Sequence, residues 1–260
     1  MTCWTLRLTT HTARQRARPT ATLRVLVDGP SEPAWNMAVD GALLAAAPTP
    51  TLRLYSWRPH AVSLGYFQAL ADFEDLPADT PLVRRTTGGG AIYHGDELTY
   101  SLALEANRLP ADLATSYALV HDALVRALAA VGVTCSRALE GRVSARPQDP
   151  WCFAHPVQGD LMTDRGKLCG SAQRRERGRV LHHGSLVLER PALTPFVAAI
   201  ADQVEPTAKV RRGLHQAVTT ELAAALSLQP CQGQLDDDER KLAARLERDV
   251  FGAQRHIARR

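Results

Sequence analysis

The segment RRTTGGGAIYHGDELTYSLA, residues 84–103, combines the most permissive backbone of the chain with a cluster of charged side chains. Arg84 and Arg85 precede three glycines, and a histidine, an aspartate and a glutamate follow before a strand-like run. A tight turn needs one or two glycines, so three in a row indicate that another molecule approaches the backbone closely. The alternative interpretation is a glycine-rich bulge or hairpin with solvated arginines.

These glycines do not form a standard nucleotide-binding loop. The segment lacks the GK[ST] of a Walker loop, and the residues that follow are strand-like, whereas a GxGxxG loop opens a helix. Backbone without side chains can still let a ligand chain pass along Gly88, Gly89 and Gly90. Arg84 or Arg85 would then be placed to pair with a phosphate.

The composition excludes several classes of protein. The chain has 260 residues, 45% of them hydrophobic, which is enough for a sizeable core in one large domain. No apolar run approaches the roughly 20 residues of a membrane helix, and no basic start precedes an apolar block. We therefore expect no membrane association, no secretory signal and a cytoplasmic location. The five cysteines are scattered without a CxxC pair, which disfavours a disulfide framework or a zinc site.

The charge is mildly basic, with a formal net charge of +4 and a pI of about 8.9. Basic residues cluster at 174–179 and 209–213, without the aromatic interleaving typical of nucleic-acid binding, so we expect no nucleic-acid partner. An acidic protein partner suits such a surface, as does a soluble enzyme that is simply rich in arginine. Only three lysines occur, Lys167, Lys209 and Lys241, so a lysine in a core strand indicates a role that arginine cannot fill.

The hydrophobic pattern predicts an α+β fold with a mixed, mainly antiparallel β-sheet flanked by helices. Residues 51–57 and 61–68 are predicted to pair as a hairpin, and Ser31 is predicted to cap a helix over 31–47. Residues 1–21 are interpreted as a loose N-terminal tail, and 22–260 as a single domain with a helical C-terminal segment. Further strands are predicted at 22–28, 81–87, 91–104, 133–139, 159–175 and 179–189, and helices at 115–132, 194–203, 215–227 and 237–251.

Cys152, in DPWCFAHP, is a candidate nucleophile. A free thiol has a pKa of about 8.5, so only a small fraction is thiolate at neutral pH unless a cation lies nearby. A loop rich in proline and histidine favours a reactive role over a structural one. The alternative is a packing cysteine buried between Trp151 and Phe153.

Lys167 follows a predicted turn and enters the strand KLCGSAQ. A lysine on a half-buried sheet face costs desolvation unless it meets an anion, a thiolate or a substrate carbonyl. The alternative is a turn lysine that points into water. Cys169 is a rival nucleophile, but between Leu168 and Gly170 it is more typical of core filling.

The histidines do not predict a metal site. His94, His155, His182 and His183 lack the HxxxH spacing of a helical ligand pair. We assign His94 a binding or positioning role and expect no metal.

Five segments occur in the order in which they occur in a known family. They are NMAVD (36–40), LRLYSWRPHAVSLGYFQ (52–68), RRTTGGGAIYHGDELTYSL (84–102), WCFAHP (151–156), and GKLCGSAQRR with HHGSLVL within 166–188. Over residues 22–190 the chain resembles the lipoate–protein ligase and octanoyltransferase family. The resemblance implies the biotin/lipoate protein ligase-like fold.

Details of the motifs separate the branches of this family. ATP-dependent ligases typically carry GN after the His-Asp that follows the glycines, whereas this chain reads HGDELTY. The classical octanoyltransferases place a cysteine in a PCG motif after the last core strand, whereas this chain reads DQVEPTAK. WCF followed by GKLCGSAQ is similar to the cysteine-dependent octanoyl-[acyl carrier protein]:protein N-octanoyltransferase branch.

That resemblance implies a reaction and its partners. Octanoyl from octanoyl-acyl carrier protein passes to Cys152 as a thioester, and then to a lysine of a lipoyl-domain protein or the glycine-cleavage H protein. Lys167 would promote the thiolate, and no cofactor is needed unless the chain is a ligase that uses ATP and Mg²⁺. The implied substrate-binding residues are Arg84, Arg85, Gly88, Gly89, Gly90, His94, Gly170, Ser171 and Ala172.

Three alternatives remain open. The chain could be an ATP-dependent lipoate–protein ligase in which Cys152 is incidental. It could be an amidotransferase that moves octanoyl between lipoyl-domain proteins. It could also be a non-catalytic binder that keeps the fold, although a binder needs neither Cys152 nor Lys167.

Overall fold

The computed structural model describes residues 21–140 and 149–259. Its strands are β1 Thr22–Ser31, β2 Thr51–Trp57, β3 Ala61–Leu64, β4 Leu82–Arg84, β5 Ile92–His94, β6 Glu97–Glu105, β7 Ser136–Arg137, β8 Leu161–Thr163, β9 Gly166–Glu176, β10 Arg179–Val187 and β11 Gln229–Gln232. Its α-helices are α1 Pro33–Ala46, α2 Leu113–Ala129, α3 Ala208–Ala225, α4 Asp237–Leu246 and α5 Gln254–Ile257. Short 3₁₀ turns include Cys152–Ala154 and Ile200–Asp202, and a π-helical turn, Glu247–Phe251, continues α4.

The strands form two sheets. The larger one has eight strands in the order β11-β1-β2-β6-β10-β9-β8-β7, and the smaller one has the order β4-β3-β5. In the larger sheet β11, β1 and β2 run parallel to one another, and every pairing from β2 to β7 is antiparallel. The predicted mixed, mainly antiparallel sheet with flanking helices is therefore confirmed.

The helices cover both faces of the larger sheet. Along β10, Val180 packs with α2 and α3, whereas the next residue, Leu181, packs with α1. On β6, Leu102 likewise packs with α2 and α3, and its neighbour Ala103 packs with α1. Because side chains alternate along a strand, one apolar run can supply two cores. The antiparallel centre, β6-β10-β9, is held between them and supplies one wall of the site.

Two local predictions are wrong. Strands β2 and β3 do not form a hairpin, because β2 lies between β1 and β6 while β3 lies between β4 and β5. Ser31 does not cap α1, since it ends β1 in register with Trp57. Glu32 occupies the N-cap position without a side-chain hydrogen bond, and the helix begins at Pro33.

Other differences concern short elements and the helix predicted at 215–227, which begins earlier, at Ala208. The helix predicted at 194–203 contains only the turn Ile200–Asp202, and the strand predicted at 133–139 has only the two residues of β7. Strand β11 was not predicted because its residues are exposed and polar, so no apolar alternation marks it. The assignment of 22–260 to one domain stays a prediction, and the predicted tail lies, apart from Ala21, outside the described residues. No helix within 21–140 or 149–259 is long and apolar enough to cross a membrane.

Candidate active site

Cys152 is fixed beside the glycine segment by backbone hydrogen bonds. The amide of Ala91 donates to the carbonyl of Pro150 at 2.9 Å, and the amide of Cys152 donates to the carbonyl of Ala91 at 2.8 Å. A Cβ atom at Gly90 would lie 2.7 Å from the backbone nitrogen of Cys152. Gly90 is therefore required for the close approach of these two backbone segments.

The ammonium of Lys167 lies beside Cys152. Its Nζ lies 3.5 Å from Cys152 Sγ and 3.3 Å from the Cys152 carbonyl oxygen. The same nitrogen lies 2.8 Å from Asp160 Oδ2, and both side chains of this ion pair are almost fully buried. The Phe153 ring centre is 5.2 Å from Nζ. The structure thus brings together the two residues for which the sequence predicted chemistry.

The electrostatics of this pair favour a charged lysine. Burial alone would lower the pKa of Lys167, but the negative charges of Cys152 and Asp160 outweigh it and raise that pKa above its ordinary value. Lys167 is therefore an ammonium at neutral pH. The Lys167 ammonium is therefore placed to stabilise negative charge at Cys152 Sγ.

Asp160 was not singled out from the sequence. It lies in the turn before β8, where its carboxylate also accepts a hydrogen bond from the Val157 amide at 2.7 Å. The anion that balances the buried Lys167 is thus supplied by the protein itself. In the sequence, Asp160 could have been found only by its position just before the hairpin strand that leads to Lys167.

Arg85 holds the glycine segment in place through hydrogen bonds to its backbone carbonyls. Its guanidinium donates to the carbonyls of Gly88 at 2.9 Å and Gly90 at 3.0 Å, and to the Ser63 carbonyl at 2.8 Å. Among the three glycines only Gly89 has a positive φ, +94°. Arg85 is buried, so the alternative of solvated arginines is wrong.

Arg84 does not line the site, which corrects the expectation that it binds substrate. Its side chain is fully buried and donates to the backbone carbonyls of Gly65 at 2.8 Å, Gln68 at 2.7 Å and Ile257 at 2.6 Å. A guanidinium spreads its five N–H donors in a fixed fork, which suits carbonyls that converge from two segments. Arg84 ties the C-terminal helix α5 to the segment before the glycines.

One cavity joins Cys152 to the predicted binding residues. Of those predictions, Arg85, Gly88, Gly89, His94, Gly170, Ser171 and Ala172 line it, while Gly90 borders it through its contact with Cys152. The remaining lining residues are Met37, Tyr55, Trp57, Ile92, Thr99, His183, Gly184 and Ser185. Apolar side chains and bare glycine backbone make up much of this wall, which suits an apolar chain.

His94 is held rigidly in the cavity wall. Its Nδ1 lies 2.7 Å from Glu97 Oε1, its Nε2 lies 2.7 Å from Ser63 Oγ, and its ring stacks on Trp57 with centroids 3.8 Å apart. Burial lowers the pKa of His94 despite the nearby Glu97 carboxylate. Both ring nitrogens are occupied, so His94 presents its ring to the cavity.

His183 joins the cavity to a buried polar network that the sequence did not reveal. Its Nε2 lies 2.7 Å from Thr87 Oγ1, and its Nδ1 lies 3.5 Å from Asp40 Oδ2. Burial would raise the pKa of Asp40, but the hydrogen bond with His183 and the charge of Arg53 outweigh it and lower that pKa. The motifs NMAVD and HHG were visible in the sequence, but nothing there showed that they meet.

Cys169 lies in the hydrophobic core, as predicted. Its side chain is fully buried within the cluster that includes Leu168 and Leu161. Burial raises the pKa of its thiol, which disfavours the nucleophilic form. Within the described part of the chain no group of three or more His, Cys, Asp or Glu side chains is arranged to hold a metal.

Comparison with known proteins defines the class. The family model of the lipoyl protein ligase A/B catalytic domain matches residues 32–234. The chain belongs to this family. Among individual relatives, the octanoyltransferase LipM of Kyrpidia tusciae is 40% identical over 182 residues, which cover 65% of this chain and 66% of that protein. The chain thus spans just under two thirds of the length of that relative.

Solved structures agree on the fold. A putative lipoate protein ligase from T. acidophilum with bound lipoic acid has a TM-score of 0.75 at 20% identity, over 92% of this chain and all of that one. A structure from Thermoplasma acidophilum, described as a bipartite lipoate protein ligase and its E2 lipoyl domain, has a TM-score of 0.72 at 19% identity, over 92% and 96%. The expected lipoate ligase-like fold is confirmed.

Proposed function

We propose that this protein is an octanoyltransferase that carries octanoyl on Cys152 as a thioester and delivers it to a lysine of a lipoyl-domain protein. The observation that carries the proposal is the buried Lys167 ammonium 3.5 Å from Cys152 Sγ, at the wall of a largely apolar cavity. The relative from Kyrpidia tusciae, an octanoyltransferase, supports the same activity.

The first half-reaction is a thioester exchange. The Cys152 thiolate attacks the octanoyl carbonyl of the donor, the new C–S bond forms, and the donor's thiol leaves as a thiolate. Lys167 stabilises the attacking thiolate and lies beside the carbonyl where negative charge develops. Because the donor thioester is already activated, this step requires neither ATP nor Mg²⁺, and we propose that the enzyme uses no cofactor.

The second half-reaction is aminolysis. The ε-amine of the acceptor lysine attacks the thioester carbonyl, the C–N bond forms, and Cys152 leaves as a thiolate beside Lys167. The Cys152 thiolate is then again paired with the Lys167 ammonium, as it was before the first half-reaction. Lys167 therefore acts in both halves of the cycle.

The cavity wall suits the acyl chain. Gly88 and Gly89 expose backbone, and Ile92, Met37 and Ala172 add apolar surface. Burial of the methylenes of an eight-carbon chain contributes about 5 kcal/mol at about 0.8 kcal/mol each. In this proposal Arg85 and His94 shape the wall, and Gly170, Ser171 and Ala172 form its β9 side.

The donor in this proposal is octanoyl-acyl carrier protein, which is acidic. Support comes from the basic turn between β9 and β10, where the Arg177 side chain is 91% exposed. Arg174 of the same hairpin donates to the carbonyl of Thr86 at 2.9 Å, next to the glycines that line the cavity. Basic side chains on this hairpin would steer an acidic carrier toward this side of the protein. The acceptor is a lipoyl domain or the glycine-cleavage H protein, in keeping with the lipoyl domain that accompanies the archaeal ligase.

The proposal is tested by mixing the protein with octanoyl-acyl carrier protein and a lipoyl domain, without ATP or Mg²⁺. We expect the lipoyl domain to gain one octanoyl group by mass, and a lipoyl domain whose acceptor lysine is replaced by arginine to gain none. Octanoylation that requires free octanoate, ATP and Mg²⁺ would instead identify a ligase. Transfer from octanoylated H protein but not from the carrier protein would identify an amidotransferase.

A further inference from the structure

Ser171 joins the cavity to two fully buried side chains. Its Oγ lies 2.7 Å from His121 Nε2, on α2, and 2.6 Å from the hydroxyl of Tyr100, on β6. Tyr100 and His121 have no exposed surface, whereas Ser171 lines the same cavity as Cys152. A side chain at Gly184 would overlap Ser171 Oγ, so glycine at that position leaves room for the hydroxyl. Ser171 is thus the one member of this trio in contact with the cavity.

The direction of these hydrogen bonds follows from the other ring nitrogen of His121. Its Nδ1 lies 2.5 Å from the carbonyl oxygen of Gly159, and a carbonyl only accepts, so Nδ1 carries a proton. Burial lowers the pKa of His121, so the ring is neutral at pH 7 and its Nε2 is an acceptor. Ser171 therefore donates its hydroxyl proton to His121, and Tyr100 donates to Ser171. One lone pair of Ser171 Oγ is left for a further hydrogen bond, and both the cavity and the Cys169 side chain adjoin this hydroxyl.

We propose that Ser171 and His121 form a proton relay that removes a proton from the acceptor lysine during aminolysis of the Cys152 thioester. This inference rests on the proposed octanoyl transfer. As the amine nitrogen bonds to the carbonyl carbon, it becomes positively charged and gives one proton to Ser171 Oγ, while the Ser171 proton passes to His121 Nε2. The carbon–sulfur bond then breaks, and Cys152 leaves as a thiolate. His121 later returns its proton through Ser171 Oγ to the cavity, from which it reaches solvent when the product leaves.

Lys167 is poorly placed for this task. Its ammonium is already protonated and lies against the Asp160 carboxylate and Cys152, so it has no capacity to accept a further proton. Gly170, the residue before Ser171, packs against Lys167, since a Cβ there would lie 2.7 Å from Nζ. Lys167, which stabilises the thiolate, and Ser171 of the relay therefore lie close together in the same wall of the cavity. Asp160 favours the imidazolium form that the relay creates on His121, whereas the charges of Lys167 and Arg137 oppose it.

The relay serves only one of the two half-reactions. A thiolate that exchanges with a thioester carries no proton to remove, whereas an amine must lose one to become an amide. Loss of the relay should therefore slow transfer to lysine and spare exchange with a thiol. A purely structural role for His121 would slow both.

The test starts from isolated octanoyl-Cys152 enzyme and measures single-turnover transfer to two acceptors, a lipoyl-domain lysine and the thiol of pantetheine. We expect His121→Asn to slow transfer to lysine about 100-fold, within the range of general base catalysis, and to change exchange with pantetheine less than about threefold. Ser171→Ala should reproduce this selective loss if His121→Asn fails to fold. Tyr117→Phe is the matched control, because Tyr117 lies on α2 beside His121 but its hydroxyl donates to the backbone oxygen of Ser171 and not to Ser171 Oγ.

The outcomes separate this inference from the proposed function. An equal loss with both acceptors, or undiminished transfer to lysine in His121→Asn and Ser171→Ala, would overturn the relay alone. If the wild-type protein forms no octanoyl-Cys152, the proposed function fails and the relay fails with it.

Discussion

Lys167 Nζ lies 3.5 Å from Cys152 Sγ, although the two residues belong to separate segments, a loop before β8 and the start of β9. The cysteine is held by backbone hydrogen bonds to Ala91, and the lysine by its ion pair with Asp160. Each partner is therefore fixed independently of the other. The site is organised before any substrate arrives, which is what electrostatic stabilisation of a thiolate requires.

Replacement of Lys167 tests the electrostatic part of the mechanism. In Lys167→Met, Cys152 loses the adjacent cation, so we expect its alkylation by iodoacetamide at neutral pH to slow about tenfold. The rate is followed by peptide mass at Cys152, because the exposed Cys231 also reacts. Lys241→Met, at an exposed lysine, is the control and should leave the rate unchanged. Equal rates in the two variants would show that Lys167 does not govern the thiol.

Asp160→Asn tests the ion pair that holds Lys167. The amide keeps an oxygen to accept the hydrogen bond from Val157 but removes the charge, which leaves a buried ammonium without its anion. We expect a loss of about 3 kcal/mol in the free energy of unfolding, measured by urea denaturation. Since Asp160→Asn with Lys167→Met removes both charges, the double variant should lose less than the sum of the single variants. Additive losses would contradict the coupling.

Gly90→Ala tests the packing of the glycine segment on the cysteine loop. A methyl group there would meet the backbone nitrogen of Cys152 at 2.7 Å and its Cα at 2.9 Å, so the loop must shift. We expect transfer of octanoyl to the lipoyl domain to fall at least about tenfold, because small displacements of reacting groups are costly. Gly88→Ala, whose methyl would meet only the Phe67 ring at 3.8 Å, should have a smaller effect. A larger loss of transfer in Gly88→Ala than in Gly90→Ala would contradict this role of Gly90.

The free energy of unfolding should fall in mild acid. Burial lowers the pKa of His94, His121 and His182, so these rings remain neutral in the folded protein at pH values where the unfolded chain binds protons. The stabilisation is therefore complete above about pH 6.5 and is lost as the pH falls toward the folded-state values, by about 1.4 kcal/mol per pH unit for each histidine. Urea denaturation at about pH 7.5 and about pH 5.5 measures the slope.

The matched variants for this pH dependence are His182→Gln and His60→Gln. His182 is fully buried, and its Nε2 has no hydrogen-bond partner among the described residues, so its replacement should reduce the slope. His60 is exposed, and its replacement should leave the slope unchanged. A wild-type stability that is flat across this range would contradict the assignment of neutral buried rings.

Much of the site could be predicted because its chemistry is concentrated in short segments. Cys152, Lys167 and the glycines stand out by residue type, by loop context and by the scarcity of lysine in the chain. The mixed sheet was also predictable, since its central strands are long and apolar. These features depend on local pattern, which a single sequence displays directly.

The errors share a different physical cause. The function of Arg84 depends on carbonyls contributed by α5, which lies more than 160 residues further along the chain. The failure of β2 and β3 to pair depends on which other strands compete for their edges. Likewise, the contacts of Asp40 with His183 and of His121 with Ser171 arise only when helices pack on the sheet. Local pattern carries no information on such long-range contacts.

The most direct test of the central claim is an intact mass of the protein after incubation with octanoyl-acyl carrier protein alone, without acceptor or ATP. We expect a gain of one octanoyl group in the wild-type protein and in Cys169→Ser, and no adduct in Cys152→Ser. An adduct that persists in Cys152→Ser, or no adduct in the wild-type protein, would contradict the assignment of Cys152 as the residue that carries the acyl group.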